Sequence, residues 1–298
     1  MNVFKEKFEI AGKPFLFIAI SYILGYSFLH WLLYLKYYLI PVKEIIFGYW
    51  IPFLLVWIPI YIWLKPKLKK LSFKKKDTVF RLMGLAAFMI AISTIVVQYY
   101  IETATGVLTE LTSIKEYPNK PVTKYYSTKN YFIGREFKGV NYYTKVSGKR
   151  NRTYTMYAVI AVPIFEAVGD TMVQRSCSYW LVHKYQKNIS NRKSFEEKQQ
   201  IFEDFKKGSI SNFDTLQLNN INYLERIGNV DLFDVYERAI YASSIEVPYR
   251  PVFFSMKTTS FSNRNGNKLL WSLVTFFMLC SIWMLALYLA KLKNENEK

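Results

Sequence analysis

Between two long apolar runs lies KPKLKKLSFKKKDTVFR, Lys65 to Arg81, which sets eight positive charges against the single Asp77. Basic segments beside membrane-crossing helices stay in the cytoplasm, because lysine and arginine near helix ends resist translocation. Lys65, Lys67, Lys69, Lys70, Lys74, Lys75, Lys76 and Arg81 are therefore the topology determinants. They require the helix before them to run inward and the helix after them to run outward.

The apolar runs have the length that this reading needs. Phe15 to Leu35 is 21 residues without Asp, Glu, Lys or Arg, and at about 1.5 Å per residue it covers the roughly 30 Å hydrocarbon layer. A basic leader with Lys5, Lys7 and Lys13 precedes it, as in a signal peptide. Lys36-Tyr37-Tyr38 follows where a small-residue cleavage site belongs, so the run is expected to stay as an uncleaved helix. Ile45–Leu64 is the second run, and its Pro52 and Pro59 remove backbone donors and should bend it unless a neighbour satisfies the freed carbonyls. Leu82–Tyr100 is the third and ends in Gln98-Tyr99-Tyr100, which reads as an interfacial belt. Leu269–Ala290 is the fourth.

With the Lys65–Arg81 segment inside, the leader and the tail are inside too. That puts fourteen of the seventeen positive residues of the membrane portions in the cytoplasm, and the inverted protein would violate the same bias. The expected fold is a membrane protein: a four-helix transmembrane bundle with an inserted α+β extracytoplasmic domain. Its division is 1–100 for the leader and first three helices, 101–267 for the outer domain, and 268–298 for the fourth helix and tail. The location that follows is the cytoplasmic membrane, with both termini inside.

The formal net charge of +18 invites a nucleic-acid reading. Its densest part, however, orients helices and meets anionic head groups, and no nucleic-acid-binding motif accompanies it. The expected partners are the lipid bilayer and a membrane protein, not nucleic acid. Cys177 and Cys280 fall at different depths and are not expected to pair. His30 and His183 fall in different compartments, and no spacing of a metal or cofactor motif is present, so no cofactor is expected.

Small residues four apart let helices approach closely: Ser21 with Gly25, Ala87 with Ala91, Ala286 with Ala290. On the first helix Ser27, His30 and Tyr34 share a face, a polar stripe that should turn away from lipid. This is the candidate polar intramembrane face. An intramembrane histidine can carry protons, and it can equally serve as an inter-helix hydrogen bond.

The outer domain, about 165 residues long, can bury its own core. Lys124–Ile133, Val140–Val146 and Thr153–Phe165 read as strands, the last with the apolar stretch MYAVIAVPIF of a buried central strand ending by Pro163. Tyr179–Tyr185, Asn222–Ile227 and Pro251–Met256 are further strands. Ser194 to Glu197 forms a capping box opening a helix that Gly208 should end, and Asp231 can cap another through about Ala242. Lys149, Arg150 and Arg152 beside tyrosines make a small basic aromatic patch, a pattern common in solvated turns. Asn151-Arg-Thr153 and Asn188-Ile-Ser190 fit the glycosylation triplet, which matters only in a secretory organelle.

The opening FEIAGKPFLFIAISYILGYSFLHWLL, the block FGYWIPFLLVWIPIYIWLKPKLKKL, the segment ETATGVLTEL, the phrase YLERIGN and the final RNGNKLLW together resemble the amino-terminal membrane extension that precedes the protease core in some bacterial rhomboid-family proteins. The resemblance covers nearly all of the chain. It implies an association with intramembrane serine proteolysis, which in that family uses a serine in Gly-x-Ser-Gly and a histidine from a second helix of a six-helix core. Here Gly25-Tyr26-Ser27 is followed by Phe28, and the only membrane histidine, His30, lies on the same helix. A nucleophile and base three residues apart on one helix do not reproduce that dyad. The resemblance therefore implies an accessory part without the protease core.

Two function classes follow. One is a noncatalytic multi-pass protein whose outer domain binds or regulates another protein, accessory to a rhomboid-type protease. The other is a membrane enzyme or transport component that uses Ser27, His30 and Tyr34.

Overall fold

The computed structural model describes residues 3–37, 43–167, 169, 176–218, 220–228, 233–248 and 250–293. The chain divides into a helical unit, 1–105 with 262–298, and a sheet unit, 106–261. The division lies a few residues inside the 101–267 expected from the apolar pattern.

Four helices of the helical unit are long and apolar enough to cross a membrane. Helix α1 is Val3–Lys36, α2 is Ile46–Lys70, α3 is Thr78–Ala104, and α6, after the sheet unit, is Lys268–Leu289. Helix α1 starts well before its apolar run, because Phe4, Phe8 and Ala11 continue an inward face; Phe4 packs edge-on against Tyr288. The core joins Phe15, Ile18 and Ala19 of α1, Val56, Ile60 and Leu64 of α2, Ala86, Ala87, Ile90 and Ala91 of α3, and Trp283 of α6. Trp283 stacks on Phe15 at 4.0 Å between ring centroids and donates its indole N–H to the Leu82 carbonyl. A buried tryptophan needs such a partner for its only polar atom.

The small-residue expectation divides. Ala87 and Ala91 are buried, and Ala286 and Ala290 pack against the same core. Ser21 and Gly25 are exposed, with open space beyond Gly25. The face of α1 that Phe15, Ala19, Ile23 and Tyr26 bury is the opposite one, so bulk rather than close backbone approach sets that contact.

One end of the helical unit gathers three segments. The Lys7 ammonium donates to the carbonyls of Leu287, Tyr288 and Ala290 at 3.2, 2.9 and 2.6 Å, satisfying acceptors that the end of α6 leaves open and opposing its negative dipole. Within the Lys65–Arg81 segment, Phe73 bridges Leu292, the Lys74 amide donates to Lys291 O, and Lys293 N donates to Ser72 O. The opposite end is closed by Arg264, which donates to the Thr103 and Ala104 carbonyls ending α3, and by Lys268, which donates to the Thr103 hydroxyl.

The sheet unit is a curled mixed sheet with a helix on each face. Its strands are β1 Leu108–Ser113, β2 Tyr125–Asn130, β3 Phe132–Ile133, β4 Gly139–Ser147, β5 Thr153–Phe165, β6 Tyr179–Ser190, β7 Tyr223–Arg226 and β8 Val252–Lys257. The spatial order is β1-β2-β7-β8-β6-β5, with β4 and then β3 on the far side of β5. β1 with β2 and β6 with β8 are parallel; the other pairings are antiparallel. β5 is buried on both faces, as its apolar run requires. Val159 and Ala161 pack with Tyr236, Ala239 and Ile240 of α5, Phe233–Tyr241. Ile160 and Val162 pack with Phe213 of α4, Phe195–Asp214.

Several strand and helix ends differ from the sequence reading, among them β6, which runs to Ser190 and not only to Tyr185. β5 does not end by Pro163 but runs to Phe165. Pro163 is tolerated because it falls where β5 changes neighbour, after Ala161 pairs with Gly139 and before Ile164 pairs with Ile133, so no ladder donor is missed there. Lys124–Ile133 is broken at Tyr131 into β2 and β3. The capping box at Ser194 is formed, with Glu197 N to Ser194 Oγ and Ser194 N to Glu197 Oε2 both at 3.1 Å, yet α4 passes through Gly208 to Asp214. The burial of Phe205, Ser209 and Phe213 on one stripe outweighs the cost of one helical glycine, about 1 kcal/mol. The Asp231 cap lies outside the described residues.

Candidate functional site

The polar stripe of α1 sits where the helix changes register. Residues Trp31–Lys36 form a π-helical turn, as does Ile46–Trp50 at the start of α2, and such turns in apolar helices often mark sites where side chains are re-aimed. Ser27 and His30 are buried at 3% and 4% exposure; Tyr34 is half-buried. His30 stacks on Tyr34 and on Phe47 at 5.3 and 5.4 Å, and Tyr34 stacks on Phe47 at 5.5 Å. Two of the three candidate residues, His30 and Tyr34, thus gather around Phe47, which pattern reading passed over as ordinary apolar filling.

Pro52 explains the next layer. In the π-helical turn the Ile51 amide reaches back five residues to Ile46, so the carbonyl that Pro52 leaves without a donor is that of Phe47. The Tyr26 hydroxyl donates to it at 2.8 Å. One turn away, the Tyr22 hydroxyl donates to the Pro52 carbonyl at 2.9 Å, and the two tyrosine rings stack at 5.8 Å. Two tyrosines of α1 therefore satisfy α2 around its proline, the arrangement that polar groups in an apolar medium require.

Gln98 of α3 completes the cluster. It is only 4% exposed and lies beside the Tyr26 hydroxyl, whereas the sequence placed it in an interfacial belt. Ser27 Oγ is buried and has no hydrogen-bond partner among the described residues, whereas the Gln98 amide interacts with the Tyr26 hydroxyl. Ser27 is therefore not hydrogen-bonded to His30 as a nucleophile to its base.

The topology determinants are arranged differently. Lys65, Lys67, Lys69 and Lys70 lie on the last turns of α2, with Lys65 3.5 Å from the centroid of the Tyr61 ring, and Lys74 to Lys76 occupy the exposed turn before α3.

In the sheet unit His183 is partly buried against Tyr185 and Phe213, and burial lowers its pKa. Burial pushes the Cys177 thiol up to about 11, and Cys177 donates to the Ile164 and Tyr179 carbonyls, so it is an inert thiol. Comparison of the chain with protein-family models, curated proteins and solved structures finds no match in any of the three.

Proposed function

We propose that the four long helices form a bundle crossing the cytoplasmic membrane with both termini inside, and that the sheet unit works outside as a noncatalytic module that docks or regulates another membrane protein. The observation that carries the orientation is the meeting of leader, Lys65–Arg81 segment and tail at one end of the helical unit. Three basic segments on one face agree with the charge bias. A sheet unit tethered by helices at both termini has a raised effective concentration toward other membrane proteins, which suits docking. An intramembrane protease of the rhomboid type is the partner class to test first, on the resemblance of sequence. Photo-crosslinkers placed at exposed positions of the sheet unit, in the native membrane, are expected to capture a second membrane protein. Absence of any specific crosslink, or cleavage of a model transmembrane substrate that is lost in Ser27→Ala, would overturn the reading.

The buried Ser27, whose hydroxyl has no partner among the described residues, favours a second reading, a transport component whose pathway includes Ser27, His30 and Tyr34. A transport activity that disappears in His30→Ala, with insertion unchanged, would replace the first reading with this one.

A further inference from the structure

Strand β4 is an edge of the sheet. Its nine residues, Gly139–Ser147, pair with β5 alone, and among the described residues no backbone hydrogen bond reaches its outer side. Its first half lies under α5, where Asn141 donates to the Val235 carbonyl. Thr144–Ser147 and the turn that follows are exposed. An open row of amides and carbonyls is a template for another strand.

The charge at this edge is one-sided. From Gly139 to Phe165 and from Tyr179 to Phe195 there is no Asp or Glu, while Lys145, Lys149, Arg150, Arg152, Lys184, Lys187, Arg192 and Lys193 fall in these two stretches. The register aligns Lys145 with Thr155 and Asn188, and Thr144 with Met156 and Lys187, so Lys145 and Lys187 lie toward the same end of the three strands as the Lys149–Arg152 turn, while Lys184, aligned with Val159 and Asn141, lies further along. Of these eight, only Lys193, with Glu197, has an ion pair among the described residues. Burial and, after it, the Lys145 charge lower the Lys184 pKa, and the Lys184 ammonium lies 4.4 Å from the centroid of the Tyr157 ring.

We propose that β4 accepts an extended acidic segment of a partner protein as an added strand. Only a polypeptide can complete the backbone ladder, since lipid head groups and polyphosphates lack alternating amides and carbonyls. A second copy of this chain is disfavoured, because antiparallel pairing of two β4 strands over their exposed Thr144–Ser147 halves would set Lys145 close to its own equivalent and bring the two basic ends together. Side chains alternate across a strand. Acidic residues at every second position would therefore meet Lys145 on one face, while the intervening apolar residues would meet Val146, which is 47% exposed, on the other.

This inference rests on the docking reading and names the partner's chemistry. The probe is a capped peptide of about eight residues alternating Glu and Val, long enough to span the strand, titrated into the purified full chain in uncharged detergent. It is expected to bind about tenfold more tightly than the Lys-Val peptide, and to weaken by about as much when Lys145→Glu, Arg150→Glu and Arg152→Glu are combined. Methylating alternate amides of the peptide is expected to abolish binding. Equal binding of the methylated peptide or of polyphosphate, or no preference for the Glu-Val peptide, would overturn the proposal. Retained crosslinks from other surfaces of the sheet unit would then leave the docking reading standing without β4.

Discussion

The Tyr26 hydroxyl on α1 donates to the Phe47 carbonyl on α2 at 2.8 Å, the carbonyl that the Pro52 ring and the π-helical turn together leave without a backbone donor. Tyr26→Phe removes the donor and keeps the ring, so it isolates this bond. Equilibrium unfolding in mixed detergent micelles is expected to show a loss of about 1 kcal/mol, the size typical of inter-helix hydrogen bonds in membranes. Tyr22→Phe should cost less, because its acceptor, the Pro52 carbonyl, also takes the Val56 amide at 3.3 Å. Equal costs for the two variants would contradict this account.

Lys7 makes the equivalent link at the other end of α1. Its ammonium is the donor for three carbonyls at the end of α6, and the residue is 4% exposed. Lys7→Met keeps much of the side-chain volume and leaves those acceptors unmet. The expected loss is about 1–3 kcal/mol, with faster proteolysis near residue 290 as the local readout. Lys7→Arg should recover part of it.

In the sheet unit the tightest backbone approach is at Gly139. A Cβ there would lie 1.9 Å from the Ala239 carbonyl oxygen and 2.8 Å from the Ser243 amide nitrogen, so α5 must retreat from β4 to admit it. Gly139→Ala is expected to destabilise the sheet unit by about 1–3 kcal/mol, as overpacking does. Gly208→Ala, at a half-buried position of α4 with open space around it, should stabilise by about 0.5–1 kcal/mol. The pair of glycine variants thus shifts thermal unfolding in opposite directions.

These contacts mark the boundary of what could be read from the residues. The four helices long and apolar enough to cross a membrane, the double-sided burial of β5 and the Ser194 cap all rest on local patterns of hydropathy and spacing, and each is legible in the residues. The Tyr22 and Tyr26 bonds were not, because they depend on the register of a neighbouring helix. Gln98 looked interfacial because it sits beside Tyr99, which is 60% exposed; its own direction is fixed by α1, not by its neighbours in sequence. β1, LTELTS, escaped notice because its polar residues alternate at a sheet edge with only Leu111 and Ser113 buried. The polar stripe Ser27, His30 and Tyr34 was visible at helical spacing, but Phe47, which joins it, carries no polar signal.

His183 gives the sheet unit a pH dependence of definite sign. Its pKa is lowered by burial, so near neutral pH the unfolded chain takes up a proton more readily than the folded one, and stability rises with pH there. Stability should therefore fall as pH drops from about 6.5 toward the depressed folded value, and level off below it. His183→Phe should flatten thermal stability across that window. Glu225, held below the usual carboxylate range against burial by Lys257 and Lys124, acts only at lower pH, so the two groups separate. A slope that persists in His183→Phe would assign it elsewhere.

The orientation can be tested with two serines. Ser72 lies in the Lys65–Arg81 segment and Ser211 on α4 of the sheet unit, and both are exposed. The native Cys177 and Cys280 are buried free thiols, which keeps the background of an aqueous thiol reagent low. Single cysteines at the two positions, treated in intact cells with an impermeant reagent, are expected to label at Ser211→Cys and not at Ser72→Cys; lysis should then expose the second. The charge argument leaves little room, because turning the protein over would carry the leader, the basic segment and the tail across the membrane together. Labelling at Ser72→Cys in intact cells would place the sheet unit in the cytoplasm and remove the basis for an outer docking module.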